Sequence, residues 1–269
     1  MVASMNRQFV ATRFGHVHSW TTGSGPWVLL LHQAAQSADE YLAVAPLLAE
    51  SFRVVALDYP GHGASDTPDH ELSVDEYCEA VTAVLDELGV DKAHAVGHHS
   101  GGILAVALAV ANPDRFDKLA LSGAGISDPA VADLLLNNPM TRDLPVDAAG
   151  EFLAKTWNVY CKMSAPAATP DTSFLPFITG LKARLRPHDM HYELLRWDYE
   201  ASWRQLQHET LLIKAEFDHF SGDVAGLDAA LPNSRLVELP DCGPWLCYEQ
   251  PELVASTLTE FLEQDMVEA

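Results

Sequence analysis

The sequence predicts an α/β fold with a mostly parallel, doubly wound sheet, and three observations support this expectation. Short apolar runs recur along the chain, helical patterns fall between them, and one long segment without strands interrupts the alternation. Strands that alternate with helices predict a parallel sheet, because each helix carries the chain back to the same end of the sheet. The 269 residues suffice for one such domain with an insertion.

Six apolar runs are the predicted central strands. Their nearly continuous apolar character is typical of strands that are covered on both faces. These runs span residues 27–32, 53–58, 93–97, 118–123, 210–215 and 234–239. The helical patterns between them span residues 40–50, 73–88, 102–111 and 251–264. Residues 9–20 predict an antiparallel strand or hairpin at the sheet edge.

Residues 127–207 contain no convincing strand and predict amphipathic helices at 149–161, 175–185 and 191–205. An insertion of this length between strands of a parallel sheet is usually functional. We therefore expect a helical cap over the C-terminal ends of the strands, where open α/β sheets bind ligands. The core domain is then residues 1–126 and 208–269.

The charge balance constrains the partners of the chain. The sequence carries 38 acidic and 16 basic residues, a formal net charge of −22. Such a surface repels phosphates, which argues against nucleic acids and anionic membranes as partners. We expect a small-molecule substrate, and a monomer or homodimer.

The cysteines and the N-terminus indicate a compartment. The four cysteines are scattered and form no zinc or redox spacing. The first residues lack the apolar stretch of a signal peptide, and no run approaches the ~18 apolar residues of a membrane span. We expect a cytoplasmic protein with reduced thiols. No nucleotide-binding or metal-binding motif stands out, so the expectation is no cofactor and no metal.

Five motifs together resemble the α/β-hydrolase family, in the order in which that family carries them. The motif LLLHQA resembles the family's oxyanion-loop segment, and AVGHHSGG (95–102) resembles its nucleophile elbow. The motif KAEFDHF (214–220) resembles its acid-bearing loop, and LPDCGPWLCYEQPELV (239–254) resembles its histidine loop. The fifth motif, ALDYPGHGASD (56–66), resembles the loop after the second central strand.

The chain departs from the family at two of the three triad positions. The family's elbow places a small residue two positions on either side of the nucleophile. Because Gly97 and Gly101 fit those positions, the apex is His99 instead of Ser, Cys or Asp. The general-base position between Gly and Trp holds Pro244, which cannot move a proton. The acid position is retained as Asp218.

These changes predict a His99–Asp218 dyad. The imidazole of His99 is longer than a serine side chain, so we expect it to extend into the space left at Pro244 and meet Asp218. The start of the next helix favours neutral imidazole, whereas Asp218 favours the protonated form. Backbone N–H groups of Ala34 and Ser100 are expected to form an oxyanion hole.

A base beside an oxyanion hole, without a nucleophilic serine, suits proton abstraction next to a carbonyl. We therefore interpret the chain as a cofactor-independent lyase or cyclase that acts on a small carbonyl compound. The reaction would be elimination, cyclisation or isomerisation, and the expected context is the biosynthesis of natural products. Candidate substrate-binding side chains lie beside the dyad and in the cap. They are Gln33, His98, Trp157, Tyr160, Trp197, His219 and Trp245.

Two other functions remain open. The first is an ester or lactone hydrolase that uses Ser100 as a displaced nucleophile with His98 or His99 as its base, or uses His99 as a nucleophile or to activate water. The second is a ligand-binding protein that has kept the pocket and lost the chemistry.

Overall fold

The computed structural model describes residues 5–125, 146–183 and 190–264. Eight strands form one sheet. They are β1 (Asn6–Thr12), β2 (Gly15–Gly23), β3 (Trp27–Leu31), β4 (Arg53–Leu57), β5 (Ala93–His98), β6 (Phe116–Ser122), β7 (Glu209–Ala215) and β8 (Ser234–Leu239). The six strands β3 to β8 begin and end within two residues of the predicted runs, and the hairpin β1–β2 extends three residues beyond the predicted 9–20 at each end.

The order of strands in the sheet is β1-β2-β4-β3-β5-β6-β7-β8. The strands β1 and β2 form an antiparallel hairpin, and β2 pairs antiparallel with β4. All other neighbours pair parallel. The predicted mostly parallel sheet with a hairpin at its edge is therefore confirmed. Parallel pairing brings the carboxyl ends of β3, β5, β6 and β7 to one edge, where side chains from distant parts of the chain can meet.

The central strands are buried on both faces. Leu29 and Leu31 belong to the apolar core on one face, whereas Val28 and Leu30 belong to the core on the other. This alternation follows from the two-residue period of a strand, and it explains why the runs read as continuous apolar segments. The edge strand β8 differs from the prediction, because most of its side chains are only half-buried. It has a parallel neighbour on one side only.

Ten α-helices are described. They are α1 (Ala45–Leu48), α2 (Val74–Glu87), α3 (Ser100–Ala111), α4 (Glu151–Met163), α5 (Pro170–Ala183), α6 (Met190–Arg196), α7 (Tyr199–Trp203), α8 (Val224–Ala230), α9 (Leu246–Glu249) and α10 (Pro251–Glu263). Helices α2, α3 and α8 pack on one face of the sheet, and α1, α9 and α10 pack on the other. No described helix has the length and apolar character that crossing a membrane requires.

Two predicted helices are wrong as single elements. Residues 40–50 divide into a 3-10 turn at Ala38–Tyr41 and helix α1, because Pro46 has no N–H to donate to the carbonyl of Leu42 and so interrupts a continuous helix. Residues 191–205 divide into α6 and α7, because Asp198 caps a new helix by accepting a hydrogen bond from the backbone N–H of Ala201.

The segment between β6 and β7 contains the helices α4 to α7, and its two halves pack differently. Gln36, which follows β3, donates a hydrogen bond to the backbone carbonyl of Pro176 in α5. This contact places α5 beside a loop at the carboxyl ends of the strands. Met190 and Trp203, from α6 and α7, are instead buried in the core next to α3. The proposed domain boundary near residue 126 lies outside the described residues, and the cap boundaries remain a prediction.

The turn between β5 and α3 depends on two glycines that bring backbones into close approach. A Cβ atom on Gly97 would lie 2.3 Å from the carbonyl oxygen of Gly101. A Cβ atom on Gly101 would lie 2.1 Å from the carbonyl oxygen of Leu31 in β3. Neither carbonyl can withdraw without moving the sheet or the helix. The close approach therefore requires glycine at both positions, as the sequence predicts for the residues that flank the apex.

We expect Gly101→Ala to destabilise the fold by roughly 3 kcal/mol, because the new methyl group overlaps the backbone of β3. Gly89→Ala is a control without a clash, since its Cβ meets nothing within 4 Å, and its φ of +67° is a backbone cost that the helical Gly101 does not have. That control should cost about 1 kcal/mol. The shift of the urea-unfolding midpoint measures both, and equal losses would contradict the close packing.

Candidate active site

His99 occupies the apex of the turn between β5 and α3. Its backbone is at φ 47° and ψ −115°, outside the conformations that a side chain normally permits. Neighbouring structure holds it there, because its N–H donates to the carbonyl of Ser122 at 2.7 Å and its carbonyl accepts from the N–H groups of Gly102 and Ile103. Backbone strain of this kind costs of order 1–3 kcal/mol and clusters at functional sites. The apex position predicted from the glycine spacing is therefore the position of His99 in the structure.

The side chain of His99 lies against Asp218, which follows β7. The distance from His99 Nε2 to Asp218 Oδ2 is 3.0 Å. The ring N–H is not directed along that line, so the two groups are in ionic contact without a linear hydrogen bond. The Asp218 side chain is 1% exposed and that of His99 is 16% exposed, so only the imidazole has an accessible edge. Gly123 makes room for the pair, because a Cβ there would lie 2.9 Å from Asp218 Oδ2 and 3.0 Å from the ring of His99.

Burial and charge act in opposite directions on this pair. Burial alone would lower the pKa of His99, but the attraction of the Asp218 carboxylate outweighs it, and the pKa of the imidazole lies above its usual value. Burial alone would raise the pKa of Asp218, and the charge of His99 outweighs it in turn, so that pKa is lowered. Asp218 is thus ionised near neutrality and favours the protonated imidazole.

A second buried pair supports the first. His98 is 2% exposed, and its Nδ1 contacts Oε1 of Glu40, which is 1% exposed. Burial acts to raise the pKa of Glu40, but the opposing charge of His98 leaves it lowered. The rings of His98 and His99 lie 4.5 Å apart between centroids. Each carboxylate therefore contacts one ring of a contiguous pair of imidazoles.

Gln33 belongs to this buried network. Its side-chain amide nitrogen lies 3.1 Å from Glu40 Oε1 and 3.2 Å from His98 Nδ1, and it donates to the carbonyl of Pro244 at 3.2 Å. Its backbone N–H donates to Glu40 Oε2 at 2.9 Å. The amide thus links three parts of the chain and holds Glu40 and His98 in place.

The two predicted oxyanion donors lie side by side. The N–H of Ala34 donates to the hydroxyl of Ser100 at 2.5 Å, and Ser100 itself is buried. Ser100 is the first residue of α3, so its own N–H has no partner within the helix. The structure shows no hydrogen bond from the Ser100 hydroxyl to an imidazole, in the part of the chain that it describes. The hydroxyl therefore lacks the adjacent base that activates a nucleophilic serine.

The loop after β8 connects the dyad to the helical segment above it. Pro244, at the position where the resemblance predicts the general base, is buried, and so is Trp245 after it. The indole of Trp245 stacks on the ring of Tyr160 with centroids 5.1 Å apart and planes 2° from parallel, and its Nε1–H donates to the Tyr160 carbonyl. The carboxylate of Glu249 accepts from the N–H groups of Gly243 and Ala165, and so fastens the same loop to the segment between α4 and α5.

The other predicted binding residues are spread more widely. Trp157 lies in an aromatic group within α4 and α5, 5.3 Å from the ring of Phe177. Trp197 is half-buried and packs against the core beside Tyr199. His219 is exposed in the loop that carries Asp218. Their contact with a substrate remains a prediction.

Sequence reasoning missed Glu40 and Gly123. Glu40 is the first residue of the helix predicted at 40–50, and nothing in that pattern marks it as a buried partner of His98. Gly123 closes the predicted strand 118–123, and its φ of +61° together with its contact to the dyad gives it a specific role. The signal in the sequence that could have identified Gly123 is a glycine at the end of a predicted strand next to the one that carries the elbow.

Comparison with known proteins places this geometry in a family. A 2-hydroxy-6-oxononadienedioate/2-hydroxy-6-oxononatrienedioate hydrolase from Cupriavidus pinatubonensis is 29% identical over 278 residues, which cover 95% of this chain and 94% of the relative. A 2-hydroxy-6-oxo-6-phenylhexa-2,4-dienoate hydrolase from Burkholderia cepacia is 27% identical and covers 91% of each chain. A soluble epoxide hydrolase from Corynebacterium is 28% identical over 91% of this chain and 93% of the relative.

Solved structures share the fold. The 2-hydroxy-6-oxo-6-phenylhexa-2,4-dienoate hydrolase of Rhodococcus superposes with a TM-score of 0.75 at 22% identity, covering 97% of this chain and 99% of that one. An esterase from Thermogutta terrifontis gives a TM-score of 0.79 at 21% identity, covering 96% and 98%. The family model for the α/β-hydrolase fold matches residues 26–161, half of the chain. With its mostly parallel eight-stranded sheet and its strand-turn-helix elbow, the chain belongs to the α/β-hydrolase fold family.

Proposed function

We propose that this protein is a hydrolase of a small carbonyl substrate, in which the His99–Asp218 pair acts as a general base on water. The observation that carries the proposal is the 3.0 Å contact between the apex imidazole and the buried carboxylate, combined with a serine hydroxyl that meets no base. The relatives with names based on 2-hydroxy-6-oxo acids support hydrolysis as the reaction and an oxo acid of that class as the substrate.

Each group has a role in this reaction. Asp218 holds His99 at Nε2, and Nδ1 is the remaining ring nitrogen, which accepts a proton from water. The hydroxide adds to the carbonyl carbon, and the N–H groups of Ala34 and Ser100 stabilise the oxyanion. When the tetrahedral intermediate collapses, the bond from the acyl carbon to the leaving group breaks, and the proton on His99 passes to the leaving group. The Ser100 hydroxyl has to release the N–H of Ala34 for the oxyanion to bind there.

A second candidate uses the same base without water. An imidazole base beside an oxyanion hole also abstracts a proton next to a carbonyl, which leads to elimination, cyclisation or isomerisation. Among the described residues, His99 contacts no serine hydroxyl. This observation is equally compatible with proton abstraction from the substrate and with activation of water. The names of the relatives favour hydrolysis, and we therefore place the lyase or cyclase second.

Substitutions at the dyad and at the serine distinguish the roles. His99→Gln and Asp218→Asn should each lower kcat by about 10²–10⁴-fold, because each removes part of the general base. Ser100→Ala should change kcat by no more than about threefold, because its hydroxyl only occupies the N–H of Ala34. The measurement is kcat on a panel of 2-hydroxy-6-oxo acids and activated esters, with a phosphonate as a serine-directed label.

Equal losses at Ser100 and His99, or stoichiometric phosphonate labelling of Ser100, would overturn the water mechanism in favour of a serine nucleophile. Turnover in H₂¹⁸O should place one ¹⁸O in the acyl product. A product without ¹⁸O would identify the lyase or cyclase instead. A protein that binds these acids with unchanged affinity after His99→Gln, and never turns them over, is a binding protein.

The pH dependence follows from the raised pKa of His99. The base works only when it is neutral, so kcat should rise with pH through a pKa above the ordinary imidazole value of about 6.5. Asp218→Asn removes the carboxylate that raises the pKa and leaves the burial that lowers it, so the imidazole should titrate at lower pH. An NMR titration of the ring nitrogens measures the shift. His70 is the control, because its pKa is raised by Asp69 at the surface and should not change.

A further inference from the structure

Three buried polar atoms around the dyad make no hydrogen bond of normal geometry, although two of them, on His99 and Asp218, lie 3.0 Å apart. They are Nε2 of His98, Nε2 of His99 and Oδ2 of Asp218. One ligand atom from each of these residues lies within 4.8 Å of the other two, and among the described residues this is the one such group of three. When both imidazoles are neutral, the lone pairs of these converging atoms are available to a common ligand, which then replaces the proton that His99 and Asp218 otherwise hold between them.

The second contact of each group orients its lone pair toward this point. Glu40 holds Nδ1 of His98, which fixes the ring proton there and leaves Nε2 as the free nitrogen. The N–H of Phe220 donates to Oδ1 of Asp218 at 3.0 Å, so Oδ2 is the oxygen that faces His99. A carboxylate behind a histidine and a donor behind a carboxylate are the outer contacts that metal ligands in proteins characteristically make.

We propose that His98, His99 and Asp218 form a binding site for a divalent transition metal of the zinc class. Two imidazoles and one carboxylate are the three-ligand set of catalytic zinc sites, which leave further positions open. Zinc at ~2.0–2.2 Å from each ligand places neighbouring ligand atoms about 3.3 Å apart. The His99–Asp218 distance of 3.0 Å is close to that value, and the ring of His98 needs a shift of about 1.5 Å at most.

The open position faces the accessible side of the site. His99 is 16% exposed, whereas Asp218 and His98 are 1% and 2% exposed, so a water or substrate oxygen reaches the metal from the side of His99. The site revises the expectation that the chain binds no metal. The metal site shares His99 and Asp218 with the proposed general base. It does not depend on the proposed hydrolysis, because metal binding is measured without any turnover of substrate.

Metal and base are alternative states of the same imidazole. When Nε2 of His99 gives its lone pair to a metal, the ring proton moves to Nδ1, which then cannot accept a proton from water. The metal-bound protein therefore lacks the general base of the proposed reaction, and the chelator-treated protein retains it.

Titration of the chelator-treated full chain with Co²⁺, followed by Zn²⁺, tests the site. We expect one equivalent of Co²⁺ with the visible absorption of a low-symmetry site, and its displacement by Zn²⁺, which binds such sites more tightly. His98→Asn and Asp218→Asn should each weaken Zn²⁺ binding at least tenfold, as measured by competition with a chromophoric chelator. Glu40→Gln should weaken it about 10–100-fold, because it removes the outer contact of His98.

The matched control is His16→Asn, which removes an exposed histidine paired with Asp66 and should leave the affinity unchanged. Circular dichroism of each variant separates ligand loss from unfolding, and His99→Gln provides a further ligand variant. Absence of stoichiometric Co²⁺ and Zn²⁺ binding, or equal affinity in the wild type and the folded ligand variants, overturns the proposal. The proposed hydrolysis fails separately, if the metal-free protein in excess chelator shows no His99-dependent turnover.

Discussion

The close approach of β5, α3 and β3 at two glycines is the constraint on which the site depends. Because Gly97 and Gly101 carry no Cβ, α3 begins directly at the end of β5, and the single residue between His98 and Ser100 has to turn the chain. That residue takes a positive φ, and its side chain lies against Asp218 after β7. The backbone hydrogen bonds on both sides of His99 hold this geometry, so the fold fixes the position from which its side chain extends.

The charges around His99 depend on one another. Two buried carboxylates, Glu40 and Asp218, flank two imidazoles, and each carboxylate has a lowered pKa because of an adjacent ring. A buried charge that loses its partner is costly, which ties the four side chains into one electrostatic unit. The parallel topology makes this arrangement possible, because residues from the ends of β5 and β7 meet at one edge of the sheet.

The sequence alone predicts the position of the elbow and the contact between His99 and Asp218, for two reasons. The glycine spacing determined the apex, and the order of motifs placed Asp218 at the end of a strand two positions away in the sheet. Glu40 could not be found in this way, because its burial depends on a tertiary contact with His98 and its local sequence reads as a helix surface. The single helix predicted at 40–50 is interrupted at Pro46, because its apolar spacing is helical but Pro46 has no N–H to continue the helix.

Gly123 has an evolutionary consequence. Its missing Cβ gives Asp218 and the ring of His99 the space to meet, and its positive φ discourages any other residue. A serine at the apex would place fewer atoms against this strand end, so a histidine apex makes the stronger demand for glycine there. Among homologues, the residue identities at positions 99 and 123 should therefore covary, and the pair offers a marker for finding other members of the family with an imidazole at the elbow.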